Sequence, residues 1–197
     1  MAKTNVNYVS LRTARADLYD GDLLLFRRRR CTIGSAIAIA GRGVHSHAAK
    51  VAWWGDEPFC CEVREWVGGR AVTLASQVRR YPGRIDLFRV NPGNRWPEYD
   101  RIASIRAMRR LAGCDYGYLS VLQAALLHLP VARLFVRPTA EDETCDRRPP
   151  FCSQAVAMCD RIAGGVDPVP YLADRLTEPC DLAQSPFYQY AFTLSGE

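Results

Sequence analysis

The chain is poor in lysine, which occurs only as Lys3 and Lys50, so its positive charge is carried almost wholly by arginine. It has three histidines and no Cys-x-x-Cys pair, which argues against a structural zinc site built from closely spaced thiol and imidazole ligands. The longest largely apolar runs, Ile33 to Ala40 and Leu119 to Leu129, fall well short of the roughly 20 residues that cross a bilayer. Met1 to Asp20 contains no apolar segment of the kind a signal peptide needs, so a cytoplasmic location is the default expectation. The eight cysteines are then expected as reduced thiols rather than a disulfide framework. No helix-turn-helix, zinc-finger or RNP-like pattern is present, and no nucleic-acid partner is expected.

What is present is the composition of an ordinary globular protein. Of 197 residues, 48% are hydrophobic and 24% charged, which is enough to bury a core and fits one domain over residues 1–197. Residues 1–18 read as a polar N-terminal arm. The net charge of +5 is compatible with a solvated basic face or with peripheral contact to an anionic membrane or cell-wall surface. Oligomeric state is not encoded in any pattern of the sequence.

Periodicity sets out the elements in order. Tyr19-Asp20-Gly21-Asp22 is a turn, and Leu23 to Phe26 a buried strand ending in the run Arg27 to Arg30. Ala36 to Ala40 reads as a short helix. His45-Ser46-His47 leads a strand through Trp54, Gly55 to Pro58 turns, and Phe59 to Val67 returns as a hairpin partner. Short strands follow near Ala71 to Leu74 and at Ile85 to Val90. Ile102, Ile105, Met108 and Leu111 mark an amphipathic helix within Pro97 to Ala112, and Leu119 to Leu129 a second, apolar one. Residues 137–150 read as an exposed loop that can serve as a lid. Pro149 and Pro150 end it, a helix runs from Cys152 to Gly164, Thr177 to Phe187 reads as an ordered loop, and Tyr188 to Leu194 as a last strand. The fold class is therefore α+β, an antiparallel sheet or small barrel packed against helices.

The chemistry centres on Phe151-Cys152-Ser153-Gln154. A cysteine in the first turn of a helix meets unpaired backbone N–H groups and the positive end of the macrodipole, both of which favour a thiolate. A thiolate nucleophile needs a base and a group that orients the base. His128 sits in a leucine-rich segment and reads as a core or helix-end residue. His45 and His47 stand at the mouth of a strand, and simple alternation puts them on one face. Glu62 is the leading orienting group and Glu65 its rival. With the hairpin turning at Gly55 to Pro58, Glu62 falls opposite Val51, about 13 Å from His47 by strand rise, so a bulge or shifted register is required to join them.

The order Gly21-Asp22-Leu23-Leu24, Ser46-His47 opening a strand, Glu62, and Phe151-Cys152-Ser153-Gln154 on a helix resembles the permuted papain-fold cysteine hydrolases of the YiiX-like branch of the NlpC superfamily. Glu178-Pro179-Cys180-Asp181-Leu182-Ala183-Gln184-Ser185-Pro186 resembles that branch's closing segment. The resemblance implies a circularly permuted papain-like fold with Cys152 as nucleophile, His47 as base and Glu62 as orienting residue. It favours His47 over His45, because the family's histidine follows a small residue and begins the strand. Tyr116, Tyr118 and Ser153 are further candidates for substrate or oxyanion contacts. The implied function is a cysteine peptidase or amidase cleaving an amide or ester through an acyl-thioester, on cell-wall peptides or acylated amines. A lipid-directed acyltransferase or thioesterase, and a non-catalytic binding protein on the same fold, are the alternatives. The substrate is a peptide or an acylated small molecule or lipid; no cofactor and no metal are implied. Gln154 stands where a glutamate is common, and Ala48-Ala49-Lys50 where Val-Gly-Ile is common, departures that bear on substrate choice.

Overall fold

Four consecutive apolar residues, Leu23 to Phe26, are completely buried because sheet neighbours and packing layers surround them on every side. They form strand β2 (Leu23–Arg27) at the centre of a seven-stranded sheet in the computed structural model, which describes residues 6–27, 43–117 and 149–195. The sheet also contains β1 (Tyr8–Ser10), β3 (His45–Trp54), β4 (Glu57–Arg64), β5 (Gly68–Thr73), β6 (Arg84–Val90) and β7 (Tyr188–Ser195), in the order β1-β7-β6-β2-β3-β4-β5. All neighbours are antiparallel except β1, which runs parallel to β7 at the edge. The polar arm expected over residues 1–18 therefore contributes a strand, and then the short helix α1 (Leu11–Ala14) capped by Ser10.

Alternation along β2 divides the core. Leu23 and Leu25 join a cluster with Ala48, Val63, Phe88, Ile105 and Val156, while Leu24 and Phe26 join Ala49, Val51, Cys60, Leu74, Ile85 and Phe192. The first face is covered by α3 (Arg101–Arg110) and α4 (Cys152–Met158). The second packs α1 and α2 (Leu74–Arg80). Helix α3 starts where Asp100 accepts a hydrogen bond from the Ala103 N–H at 2.9 Å, a normal N-cap.

Three expectations about elements are corrected. The strand expected near Ala71 to Leu74 ends at Thr73, whose hydroxyl accepts the Ser76 N–H at 3.3 Å and so starts α2. The segment Thr177 to Phe187, expected as a loop, contains α5 (Pro179–Gln184), whose start is fixed by the Glu178 N–H donating to Asp181 Oδ2 at 2.8 Å. The helix expected from Cys152 to Gly164 is regular only to Met158 and continues as a wider turn over Cys159–Ala163. The helices expected at Ala36 to Ala40 and Leu119 to Leu129 lie outside the described residues, as does all but the last part of the loop at 137–150.

Two glycines allow close backbone contacts that set up the site. Gly69 donates to the Cys114 carbonyl at 2.8 Å and accepts from the Gly113 N–H at 2.7 Å; a Cβ there would lie 1.7 Å from the Leu111 oxygen. Gly117 donates to the Pro150 carbonyl at 3.2 Å, and a Cβ on it would lie 2.0 Å from the Pro149 oxygen. The segment ending at Gly117 thus runs beside the two prolines that deliver Cys152.

Candidate active site

The hairpin register decides where Glu62 lies. Trp54 pairs with Glu57 and Ala49 with Glu62, so the turn is the two residues Gly55-Asp56, with Gly55 at φ 55°. Positive φ at the first central position suits a tight hairpin turn matched to strand twist. Glu62 is therefore opposite Ala49, not Val51, and becomes the diagonal neighbour of His47 on the same face. The long separation expected from a four-residue turn disappears: His47 Nε2 lies 2.6 Å from Glu62 Oε2.

A bulge separates the two histidines. The pairing of β2 with β3 shifts between Phe26, opposite His47, and Arg27, opposite His45, leaving Ser46 as the extra residue. His47 stays on the Phe26 face, with the two rings edge to face at 5.1 Å. His45 turns instead to Asp86, 2.7 Å from its Nε2, and packs against Phe88. The expectation that both histidines share a face is thereby overturned.

Cys152 enters from helix α4 over the opening where β3 and β4 part. Their pairing stops at Ala49 and Glu62, although β4 continues along β5 to Arg64. Val51 donates to the carbonyl of Asp22, just before β2, so alternation turns the Ala48 N–H to the opposite edge, where β4 no longer answers it. That N–H bonds the Cys152 sulfur instead, as does the Ser153 N–H. The His47 ring also hydrogen-bonds the sulfur. With Nε2 engaged by Glu62, Nδ1 is the ring nitrogen that faces it.

Electrostatics divide the thiols. Burial alone would raise the Cys152 thiol, but His47 and the two backbone N–H groups outweigh it and pull it below the ordinary range. Burial also works against a charged His47, yet the opposing Cys152 sulfur and Glu62 raise it to about 10. The two shifts together favour a thiolate beside an imidazolium over the neutral pair. Glu62, whose burial opposes ionisation, is lowered to about 2 by His47 and Arg70. Arg70 donates to Glu62 Oε1 through Nε at 2.7 Å and through a second guanidinium nitrogen at 2.5 Å. Among the six described cysteines, burial drives Cys60 well up, Cys61, Cys159 and Cys180 to about 12, and Cys114 upward. Cys152 alone moves down.

The other candidates fall as follows. The Ser153 hydroxyl is turned away, donating to the Thr177 carbonyl at 2.7 Å, so its backbone N–H is what it offers the sulfur. Tyr116 packs against the cluster of Phe151, Cys152, Ala173 and Leu176. Tyr118 and His128 lie outside the described residues. Glu65 is exposed in the turn between β4 and β5, away from the pairing that holds Glu62. Gln154, one of the departures from the family pattern, accepts the Phe151 N–H at 3.4 Å and caps the helix; as an amide it does so without placing a second negative charge beside the sulfur. Arg70 was missed in the sequence. The signal lay in strand pairing, since Arg70 stands opposite Glu62 once the β4–β5 register is known.

Among the described residues, one group of ligand-type atoms lies within 4.8 Å of one another, on Glu178, Cys180 and Asp181. It belongs to the first turn of α5, where Asp181 accepts the Glu178 N–H and the Cys180 thiol donates to Glu178 at 3.4 Å. No described helix is long and apolar enough to cross a membrane.

This sheet, with helices packed on it, is a mixed α+β fold of the YiiX-like kind. Among solved structures it is similar to that of the metalloprotein YiiX from Escherichia coli O157:H7 (DUF1105), with a TM-score of 0.62 and 15% sequence identity over 91% of this chain and 99% of that one. Neither family models nor curated proteins give a match to the sequence.

Proposed function

We propose that the protein is a cysteine hydrolase on a permuted papain-like (NlpC-type) fold, acting on an amide or ester through an acyl-thioester intermediate. The observation that carries this reading is the His47 ring held between Glu62 and the Cys152 sulfur, on the one described thiol that is pulled down. The element order supports the permutation: the Gly-Asp-Leu strand, the histidine strand and the glutamate strand all precede the cysteine helix. Taken as one domain over residues 1–197, the chain needs no second module to assemble this set.

The Cys152 thiolate attacks the carbonyl carbon, and the carbonyl π electrons move onto oxygen. Backbone N–H groups at the start of α4, that of Cys152 included, are placed to stabilise that developing charge. The intermediate collapses with cleavage of the bond to the leaving group, which takes a proton from His47 as it departs. Water then attacks the thioester, His47 accepts its proton, and the carboxylic acid leaves as the thiolate is restored. Glu62 fixes the tautomer and compensates the imidazolium; Arg70 keeps Glu62 ionised.

A lipid-directed acyltransferase or thioesterase is the second reading. It is favoured by Trp66, 88% exposed at positive φ on the tip of the β4–β5 hairpin that begins at the site. Of the Arg27 to Arg30 run offered as a basic rim, the described Arg27 is committed to Asp86.

Iodoacetamide at mildly acidic pH tests the shared chemistry: selective carbamidomethylation of Cys152 is expected, and uniform labelling of several thiols would sink it. Muropeptides and fluorogenic acyl esters, supplied with and without an amine or alcohol acceptor, then separate hydrolysis from transfer. Turnover of neither, with Cys152 unreactive, points to a binding protein.

A further inference from the structure

Lys50 is fully buried on β3, three residues beyond His47, and its Nζ lies 2.6 Å from Asp160 Oδ1, which is equally buried. Asp160 sits in the wide turn that continues the Cys152 helix. The same Oδ1 accepts hydrogen bonds from the Tyr99 and Ser104 hydroxyls, each at 2.6 Å, and Oδ2 accepts from the Tyr188 hydroxyl. One carboxylate thereby ties together β3, the approach to α3, α3 itself and β7. Replacing a buried ion pair by apolar residues of equal volume is often neutral or stabilising, so stability alone does not explain a pair this deeply desolvated.

Its placement does. His47 with Cys152, and Lys50 with Asp160, are two cross-links between the same strand and the same helical segment. Lys50 lies about 10 Å along the strand from His47, at about 3.3 Å per residue. Asp160 lies about 12 Å along the helix from Cys152, at about 1.5 Å per residue. Two directional links with matching spacing remove both sliding and rotation of the helix on the strand, whereas an apolar contact at the second point would permit both. A reacting pair needs placement within about 0.5 Å.

We propose that the buried Lys50–Asp160 pair is a positioning device that holds the Cys152 helix in register on the His47 strand. This rests on the nucleophile reading of Cys152 given above. In the sequence Lys50 is a departure from the family pattern that bears on substrate choice; buried against Asp160, it bears instead on the geometry of the dyad.

The test is the pH dependence of Cys152 alkylation by iodoacetamide, with the site identified by mass spectrometry and folding checked by thermal unfolding. The variant Lys50→Met with Asp160→Asn removes both charges together and leaves an amide oxygen for Tyr99 and Ser104. A folded double variant whose alkylation midpoint rises by about one pH unit or more, with a rate at pH 6 about tenfold lower, supports positioning. The wild-type profile in that variant overturns it. Tyr188→Phe removes one donor from Asp160 without uncovering a charge and decides the matter if the double variant does not fold: about threefold slower alkylation at pH 6 supports the proposal, and an unchanged profile overturns it. An ordinary thiol midpoint in the wild-type protein would instead overturn the nucleophile reading, a separate result.

Discussion

Strand β3 carries two histidines of nearly equal local chemistry and unequal consequence. His47 Nε2 is 2.6 Å from Glu62 and His45 Nε2 is 2.7 Å from Asp86; both carboxylates are fully buried and both are engaged by an arginine, Arg70 in one case and Arg27 in the other. Beyond that the two diverge. The far side of His47 meets the Cys152 sulfur. His45 packs on Phe88, and Asp86 accepts a further hydrogen bond from Thr193 at 2.6 Å, inside the sheet. A histidine, a carboxylate and an arginine in contact are thus as able to tie strands together as to prepare a reaction. What sets the His47 group apart, on the proposed reading, is a third partner able to donate electrons.

The sharpest way to break the comparison is to remove each histidine in turn. His47→Gln or Cys152→Ala is expected to lower turnover of an acyl ester or muropeptide by about 10³-fold or more, as removal of a triad member does. His45→Gln is expected to leave turnover within about threefold while lowering the melting temperature, since it leaves the Asp86 network short of a partner. Equal losses of activity in both variants would erase the distinction between the two histidines.

The second break is at the carboxylates. Glu62→Gln keeps the shape but no longer compensates an imidazolium, and turnover is expected to drop about 10² to 10⁴-fold. Asp86→Asn is expected to act on stability instead, by roughly 3 kcal/mol, or on the order of 10 °C in melting temperature. Acid sharpens the contrast. Glu62 is about 2 in the folded chain against 4.5 ordinarily, so its stabilisation is complete above about pH 4.5 and lost as pH falls towards 2, worth roughly 3 kcal/mol in all. Asp86 is also lowered, because His45, Thr193 and Arg27 outweigh its burial, and adds to the same acid limb. Urea unfolding between pH 2 and 6 is expected to show a shallower slope in Glu62→Gln than in the native chain.

These two sets also mark where the sequence was readable. Leu23 to Phe26 announced the central strand, and the prolines before Cys152 announced a helix start, because both signals are local. Choosing His47 over His45 rested on family resemblance, since the pattern alone put both on one face; the separation comes from a bulge at Ser46, which depends on how β2 packs beside β3. A four-residue turn at Gly55 to Pro58 leaves Glu62 too far from His47, whereas Pro58 lies inside β4, opposite Trp53. Arg70 and Asp86 carry no motif and become visible only through pairing across strands. Lys50, in turn, is explained by Asp160 from a helix more than a hundred residues later. Register is a tertiary property, and the site is built on register.

The smallest expected effect separates the two arginines. Arg70→Met leaves Glu62 with His47 as its main partner, so the carboxyl pKa rises from about 2 towards its ordinary value and the charge that supports the imidazolium is retained less firmly. Because Arg70 is about a quarter exposed, water takes over part of its role and the loss is modest: about three- to tenfold in turnover at neutral pH. The diagnostic is the acid limb of the activity profile, which should move to higher pH as Glu62 protonates earlier. Arg27→Met has about the same exposure and the same kind of partner, yet the partners of Asp86 among the described residues are Arg27, His45 and Thr193 rather than a sulfur, so the activity profile should keep its position and only the melting temperature should fall by a few degrees. If both substitutions moved the activity profile alike, the two networks would be electrostatically joined through the sheet, and His45 would have to be counted with the dyad rather than against it.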